Sequence, residues 1–342
     1  MAIIKTMKIL LDALGGDKAP TSTVEGATKA LLANPDLHLV LAGPETELRP
    51  LLEKQGAPLD RLSFLDASEV VLNTDHPATF TKEKPNSSLA VAFEELRKNG
   101  EIDALVSAGP TGALLSGTVL RIGRIPGVQR PGLLAAIPTR TGKLCYLIDV
   151  GANMDCKPEY LYQFALMANT YLKALGYESP RISVLSVGQE EGKGNELTKT
   201  VYAMLKERSD LNFIGNIEGD HVLKGETDIV VCDGFSGNVF LKSMEEAAYY
   251  ISDLFKAAIF KNVFTKLGAL PMIGGLKKVK APFDYASRAC SPLLGAKKLV
   301  LKCHGKSDAV TIAATIAEAV SLKEKGLIAS IGSALENPQE NQ

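Results

Sequence analysis

Short apolar runs rich in Val, Ile and Leu alternate with longer stretches of helical periodicity along the whole chain. Residues 8–14, 37–42, 102–107, 144–150, 181–187, 229–232 and 299–303 read as strands. Residues 19–33, 87–98, 111–122, 158–175, 194–208 and 307–325 read as the helices between them. The strand segments are apolar at nearly every position, which is the pattern of strands covered on both faces. Such strands separated by helices predict an α/β fold, a mostly parallel sheet with helices on both faces. No internal repeat or low-complexity linker interrupts the alternation, so residues 7–335 read as one domain, with 1–6 and 336–342 as terminal extensions. At about 150 residues per domain, 342 residues leave room for two domains or lobes, which the unbroken alternation reads as two lobes around one cleft.

Chemistry concentrates where the strands end. The first strand runs into Asp12, Gly15, Gly16 and Asp17, and the third into Ser107, Gly109, Thr111 and Gly112. Later strands end at Asp149 and Asn153, at Gly188, and at Asp233 and Gly237, and the last is followed by His304. Open α/β sheets bind ligands at the carboxyl ends of their strands. Small and polar residues there let backbone N–H groups approach an anion closely. Each turn also has a plain reading, because a βα loop needs Gly for its dihedrals and Asp, Ser or Thr to cap the next helix. Five such turns together favour a polar, anion-receptive cleft.

Lys193 lies between Gly192 and Gly194 just before a helix. A lysine so placed reaches a phosphate or a developing oxyanion without competing bulk, or is a solvated turn residue. Asn238 can donate an amide hydrogen bond to the same oxygen or cap a helix. His304 meets the cleft or is a satisfied structural histidine. Several familiar sites are excluded: no dinucleotide-binding G-x-G-x-x-G follows the first strand, and neither a P-loop nor a G-x-S-x-G elbow occurs. The four histidines have no metal-ligand spacing. Five widely spaced cysteines without C-x-x-C give no disulfide framework and fit a reducing cytoplasm.

Five ordered motifs carry a resemblance. Asp12-Ala-Leu-Gly-Gly-Asp-Lys-Ala-Pro20, Ser107-Ala-Gly-Pro-Thr-Gly-Ala-Leu114, Asp149-Val-Gly-Ala-Asn153, Gly215-Asn-Ile-Glu-Gly-Asp220 and Asp233-Gly-Phe-Ser-Gly-Asn-Val-Phe-Leu-Lys242 are similar to those of the phosphate:acyl-carrier-protein acyltransferases of bacterial phospholipid synthesis. The resemblance implies attack of inorganic phosphate on the thioester of an acyl-acyl carrier protein, giving acyl phosphate and free carrier protein without an acyl-enzyme. It also implies a homodimer, no metal or organic cofactor, and a fold like that of phosphate acetyltransferases and isocitrate or isopropylmalate dehydrogenases. A glycerol-3-phosphate acyltransferase would then accept the product. Lys193 and Asn238 fall on the family's functional Lys and Asn. Three departures bear on loop geometry: Pro110 replaces a usual Asn, Ala289-Cys290 replaces two glycines, and Glu246 replaces a common Gly. The rival readings are a phosphate acetyl- or butyryltransferase using coenzyme A thioesters and a non-catalytic membrane-associated scaffold.

Charge sharpens this picture. The chain carries 38 Lys and Arg against 39 Asp and Glu, a balance that argues against a nucleic-acid binder. Between positions 251 and 306, however, eleven Lys and Arg face only Asp253 and Asp284, a local +9 that leaves −10 elsewhere. Ile251, Leu254, Phe255, Ala258 and Ile259 follow helical spacing, and Phe260 and Phe264 continue around the helix with Lys256, Lys261 and Lys266 between them. Residues 251–282 therefore read as an exposed apolar and basic excursion. Its apolar face fits a core or dimer contact. Peripheral contact with an anionic membrane, which the resemblance implies, and docking of an acidic carrier protein fit it equally.

Overall fold

The computed structural model describes residues 7–269, 271, 275 and 290–336. Its strands are β1 (Met7–Asp12), β2 (Leu37–Ala42), β3 (Leu62–Leu65), β4 (Ala104–Ser107), β5 (Gly132–Pro138), β6 (Leu144–Ile148), β7 (Arg181–Leu185), β8 (Asn212–Ile217), β9 (Ile229–Val231), β10 (Ser291–Leu294) and β11 (Leu299–Lys302). They form one sheet in the order β3-β2-β1-β4-β11-β10-β5-β6-β9-β7-β8. Within it β3-β2-β1-β4-β11 is one parallel block and β6-β9-β7-β8 another. The antiparallel strands β10 and β5 join them, so the two blocks run in opposite senses.

The near-continuous apolar runs have the reason expected of them. Ile9, Leu11, Val106 and Leu301 belong to the core on one face, while Leu10, Leu105 and Val300 belong to the core on the other. Both faces are thus dry, and the class is α/β with a mostly parallel sheet. Helices Thr21–Ala33, Ser88–Lys98, Pro158–Ala174, Glu196–Lys206 and Ala309–Glu324 occupy the expected segments. Thr21–Ala33 and Ala309–Glu324 pack so closely that a Cβ on Gly26 would lie 2.7 Å from the Ile312 side chain.

Several elements differ from expectation. The segment 111–122 is helical over Thr111–Gly117 and then widens into a π-type turn over Thr118–Ile122, closed by the Gly123 amide on the Thr118 carbonyl. Strands β3, β5, β8 and β10 were not anticipated. β5 lies between Pro131 and Pro138 and is set in place by β10 and β6, partners distant in sequence. The apolar helix expected from position 251 is the outer end of a 26-residue helix, Gly234–Ile259, in which only Gly234 and Gly237 are buried. A short helix, Val263–Ala269, follows. The rest of the excursion 251–282, positions 270, 272–274 and 276–282, lies outside the described residues, as do the terminal extensions apart from Glu336.

Candidate active site

In the second block, β6, β9 and β7 are adjacent and parallel, so the turns after them leave side by side. After β6, Asp149 turns inward. Its Oδ1 accepts from the Leu133 and Ala152 amides, each at 3.0 Å, and its Oδ2 from the Asn153 amide at 2.7 Å and the Asn153 side chain at 2.9 Å. The Asn153 side chain also donates to the Pro131 carbonyl at 2.8 Å. Burial pushes the Asp149 carboxyl up, and the Asn153 side chain and the surrounding amides pull it back. Asp149 and Asn153 therefore brace the turn, both carboxylate oxygens and the Asn153 side-chain N–H group being occupied by protein.

After β9, Asp233 caps the long helix, accepting from the Ser236 amide and hydroxyl, both at 2.8 Å. The Gly237 amide donates to the Asp233 carbonyl and the Gly234 amide to the Asn153 carbonyl. A Cβ on Gly237 would sit 2.0 Å from the Asp149 carbonyl oxygen, so only glycine lets the helix start this close to the Asp149 turn. That approach sets Asn238 beside Gly151, where a Cβ on Gly151 would be 3.6 Å from the Asn238 amide. The half-buried Asn238 side chain makes no hydrogen bond among the described residues.

Lys193 comes from the turn after β7. Its stem lies across Gly188, where a Cβ would be 2.8 Å from Lys193 Cγ. The turn is tied down by the Asn216 side chain on the Glu190 carbonyl at 2.9 Å and by the Lys206–Glu191 ion pair. Gly194 has a φ of +104°, and Asn195 caps the next helix through the Thr198 amide. Lys193 itself is exposed and pairs with no carboxylate among the described residues. Beneath the turn, Ser186 Oγ and Asn216 Oδ1 are buried without hydrogen-bond partners among the described residues.

In the first block, Asp12, Ser107 and Lys302 end β1, β4 and β11, and Ser107 is directly opposite Lys302. The Ser107 hydroxyl donates to Asp12 Oδ2 at 2.7 Å and accepts from the Gly109 amide at 3.0 Å. Burial pushes the Asp12 carboxyl up, while the Ser88 and Ser107 hydroxyls and the Leu14 and Gly15 amides pull it down. Gly15 lies against Asp12, and Asp17 donates its amide to the Gly305 carbonyl at 2.7 Å. Thr111 and Gly112 open the short helix, with Gly112 against Pro77. Next to this group a groove of about 490 Å³ is lined by Lys18, Thr21, Ser22, Glu25 and Asp308.

The exposed His304 accepts the Lys306 amide at Nδ1, 3.1 Å, which puts the proton of the neutral ring on Nε2. Partial desolvation and the Lys302, Lys242 and Lys306 cations hold its imidazolium below the usual histidine range, with Glu245 opposing. Lys242 and Glu245 belong to the long helix that starts at β9, so this helix joins the two groups of strand ends. Sequence reasoning missed Lys302 and Lys242. Lys302 had a signal, since it follows Val300 by two positions and must share its face. Lys242 closes the fifth motif, but nothing in the sequence pairs it with β11, a proximity that only the fold makes.

No cysteine near these turns is a ready nucleophile. All five are unpaired, and burial pushes Cys232 well above the usual thiol range and both Cys156 and Cys303 up to about 11. The arrangement is suited to holding an anion and a carbonyl rather than to forming a covalent enzyme intermediate.

Residues 7–330 match the family model described as "Fatty acid synthesis protein". The chain is 46% identical over 317 residues to a phosphate acyltransferase of Caldanaerobacter subterraneus subsp. tengcongensis, covering 92% of this chain and 93% of that protein. It is also 46% identical over 303 residues to one from Brevibacillus brevis, covering 88% and 89%. Among solved structures, a phosphotransacetylase from Streptococcus pyogenes superposes with a TM-score of 0.57 at 18% identity, covering 97% of this chain and 95% of that one. The EutD phosphotransacetylase from Staphylococcus aureus gives 0.55 at 14%, covering 96% and 94%. At those identities the structural likeness concerns the fold alone, whereas the sequence matches reach over nearly the whole chain: it belongs to the phosphate acyltransferase family and is an acyltransferase.

Proposed function

We propose that the enzyme converts an acyl-acyl carrier protein and inorganic phosphate into acyl phosphate and free carrier protein. A phosphate oxygen attacks the thioester carbonyl carbon, the C–S bond breaks, and the proton released from hydrogen phosphate goes to the departing thiolate. Phosphate is its own nucleophile, so the chain needs to position it and to stabilise the tetrahedral oxyanion. The observation that carries this reading is that the Lys193 and Asn238 side chains leave neighbouring strand ends with no partner of their own among the described residues. Lys193 neutralises the developing oxyanion and Asn238 donates a hydrogen bond beside it. Asp149, Asn153, Asp233 and Gly237 hold the turns that aim these two side chains, and Asp12, Gly15, Gly16, Asp17, Ser107, Gly109, Thr111 and Gly112 shape the opposite wall.

The basic, apolar stretch favours an acyl donor carried by an acidic protein over a coenzyme A thioester. To the same reading belong a homodimer, a cytoplasmic enzyme in peripheral contact with an anionic membrane, and a glycerol-3-phosphate acyltransferase that takes the acyl phosphate. The test is acyl-phosphate formation from phosphate with palmitoyl-carrier protein and, separately, with acetyl-CoA. Turnover is expected with the first, and Lys193→Ala should cost it about 10²- to 10³-fold while the circular dichroism spectrum is unchanged. Preference for acetyl-CoA would replace the donor, and full activity in Lys193→Ala would remove Lys193 from the chemistry.

A further inference from the structure

A second cationic group lies at the end of β11, in the other parallel block from Lys193. Lys302 ends β11 opposite Ser107. Val300 and Leu105, two residues earlier on each strand, are core residues of one face, so Lys302 and Ser107 project from that same face just beyond the core. Leu241 and Met244 pack on this core too, and the charge of Lys242, between them, acts on both Lys302 and His304, so the third turn of the long helix comes near the end of β11. The Lys302 ammonium donates to the Cys303 carbonyl at 3.0 Å and pairs with no carboxylate among the described residues. Lys242, whose side chain is 57% exposed, touches Glu245 at 2.7 Å. Of the charged side chains that bear most on His304, three are cations, Lys302, Lys242 and Lys306, and one, Glu245, is an anion. An anion bound among them would be favoured.

Helical spacing links this group to the carbonyl-binding one. Asn238 and Lys242 are four residues apart on one helix, hence on one face and about 6 Å apart along its axis. An anion held by Lys242 therefore lies one turn from the amide of Asn238.

We infer that Lys302 and Lys242, with the Nε2–H of His304, bind the inorganic phosphate that attacks the thioester, leaving Lys193 and Asn238 to the carbonyl. This rests on the reading of the enzyme as a phosphate acyltransferase acting on a carrier-bound acyl group. It divides the two cationic sites between the two reactants. Phosphate also occurs as the phosphodiester of a carrier's prosthetic arm, and the kinetics separate the two sources.

Steady-state rates of the full-length enzyme are measured with phosphate and palmitoyl-carrier protein varied in turn, for wild type, Lys302→Gln and Lys242→Gln. Each substitution should raise KM for phosphate about ten- to hundred-fold, the size expected for loss of a charge-assisted hydrogen bond, with KM for the acyl donor nearly constant. Lys193→Gln should instead lower kcat. A rise confined to the acyl-donor KM would assign the site to the carrier's phosphodiester and overturn the inference. So would an unchanged phosphate KM in both variants. Binding is read independently of turnover by following the His304 ring by NMR through a pH titration. Inorganic phosphate should move the midpoint upward in wild type and not in Lys242→Gln, a variant on an exposed helix face that preserves the fold if Lys302→Gln does not. Absence of that movement in wild type sinks the site. Its presence in an enzyme that forms no acyl phosphate would keep the site and discard the reaction.

Discussion

Asp149 and Lys193 are both polar residues at strand ends, yet one is enclosed by four N–H donors and the other stands clear of any carboxylate among the described residues. Residue type located both at the end of a strand. Which way each turns depends on neighbours from elsewhere, for Asp149 the Leu133 amide at the start of β5, a strand that the sequence pattern did not reveal. Asp149→Ala would strand several buried donors, and we expect urea unfolding to show a loss of about 3 kcal/mol. His304 gives a pH signature. Its lowered value means that the unfolded chain takes up a proton first as pH falls through about 6.5. In that window stability should drop on acidification, and it should level off above the window and below the folded-state value. His38, lowered by burial, adds to the same slope, so His304→Asn should reduce it and His38→Asn with His304→Asn should flatten it when thermal unfolding is followed from pH 5 to 8; a slope unchanged by His304→Asn would assign the effect to other groups.

Among the elements, helix Gly234–Ile259 departs most from what its sequence suggested. Its first turn, Gly234 to Gly237, has the composition of a loop, and the small residues that suggest a loop are those that let a helix abut the Asp149 turn. Farther out, Tyr250, Leu254, Phe255, Phe260 and Phe264 are each more than half exposed, with Lys256, Lys261 and Lys266 among them and the Lys266 ammonium 5.5 Å from the Phe260 ring centroid. Among the described residues, no helix is long and apolar enough to cross a membrane. If this surface meets a bilayer through shallow apolar burial, Phe260→Ser with Phe264→Ser should reduce flotation with vesicles containing anionic lipid. Equal flotation of variant and wild type counts against that contact. The strands β1, β2 and β11 were legible because both of their faces are buried, whereas β3 and β8 carry polar and exposed positions that obscure them.

For the molecule as a whole, the apolar pattern was enough to identify a mostly parallel α/β sheet. It could not reveal that the two parallel blocks run in opposite senses, since direction is decided by β10 and β5, which pair across long stretches of chain. Charge has a similar hidden arrangement, −10 and +9 within a total of −1. If the basic part receives an acidic carrier protein, kcat/KM for the carrier-bound donor should fall several-fold as salt rises from about 50 to 200 mM, because screening shortens the reach of such steering. A small thioester should be nearly indifferent to the same change, and equal salt sensitivity would argue against carrier docking there.

The long helix is also a lever. It is seated at Gly237 and again where Leu241 and Met244 pack on the core, and Ile259 lies about 22 Å beyond Met244 along the shaft. A push on the outer end therefore meets the second seat before it reaches Lys242. Whatever grips the far end, whether a membrane, a second copy or a carrier, has its leverage on Met244 first, and on the distance between Lys242 and Lys302 only through that contact.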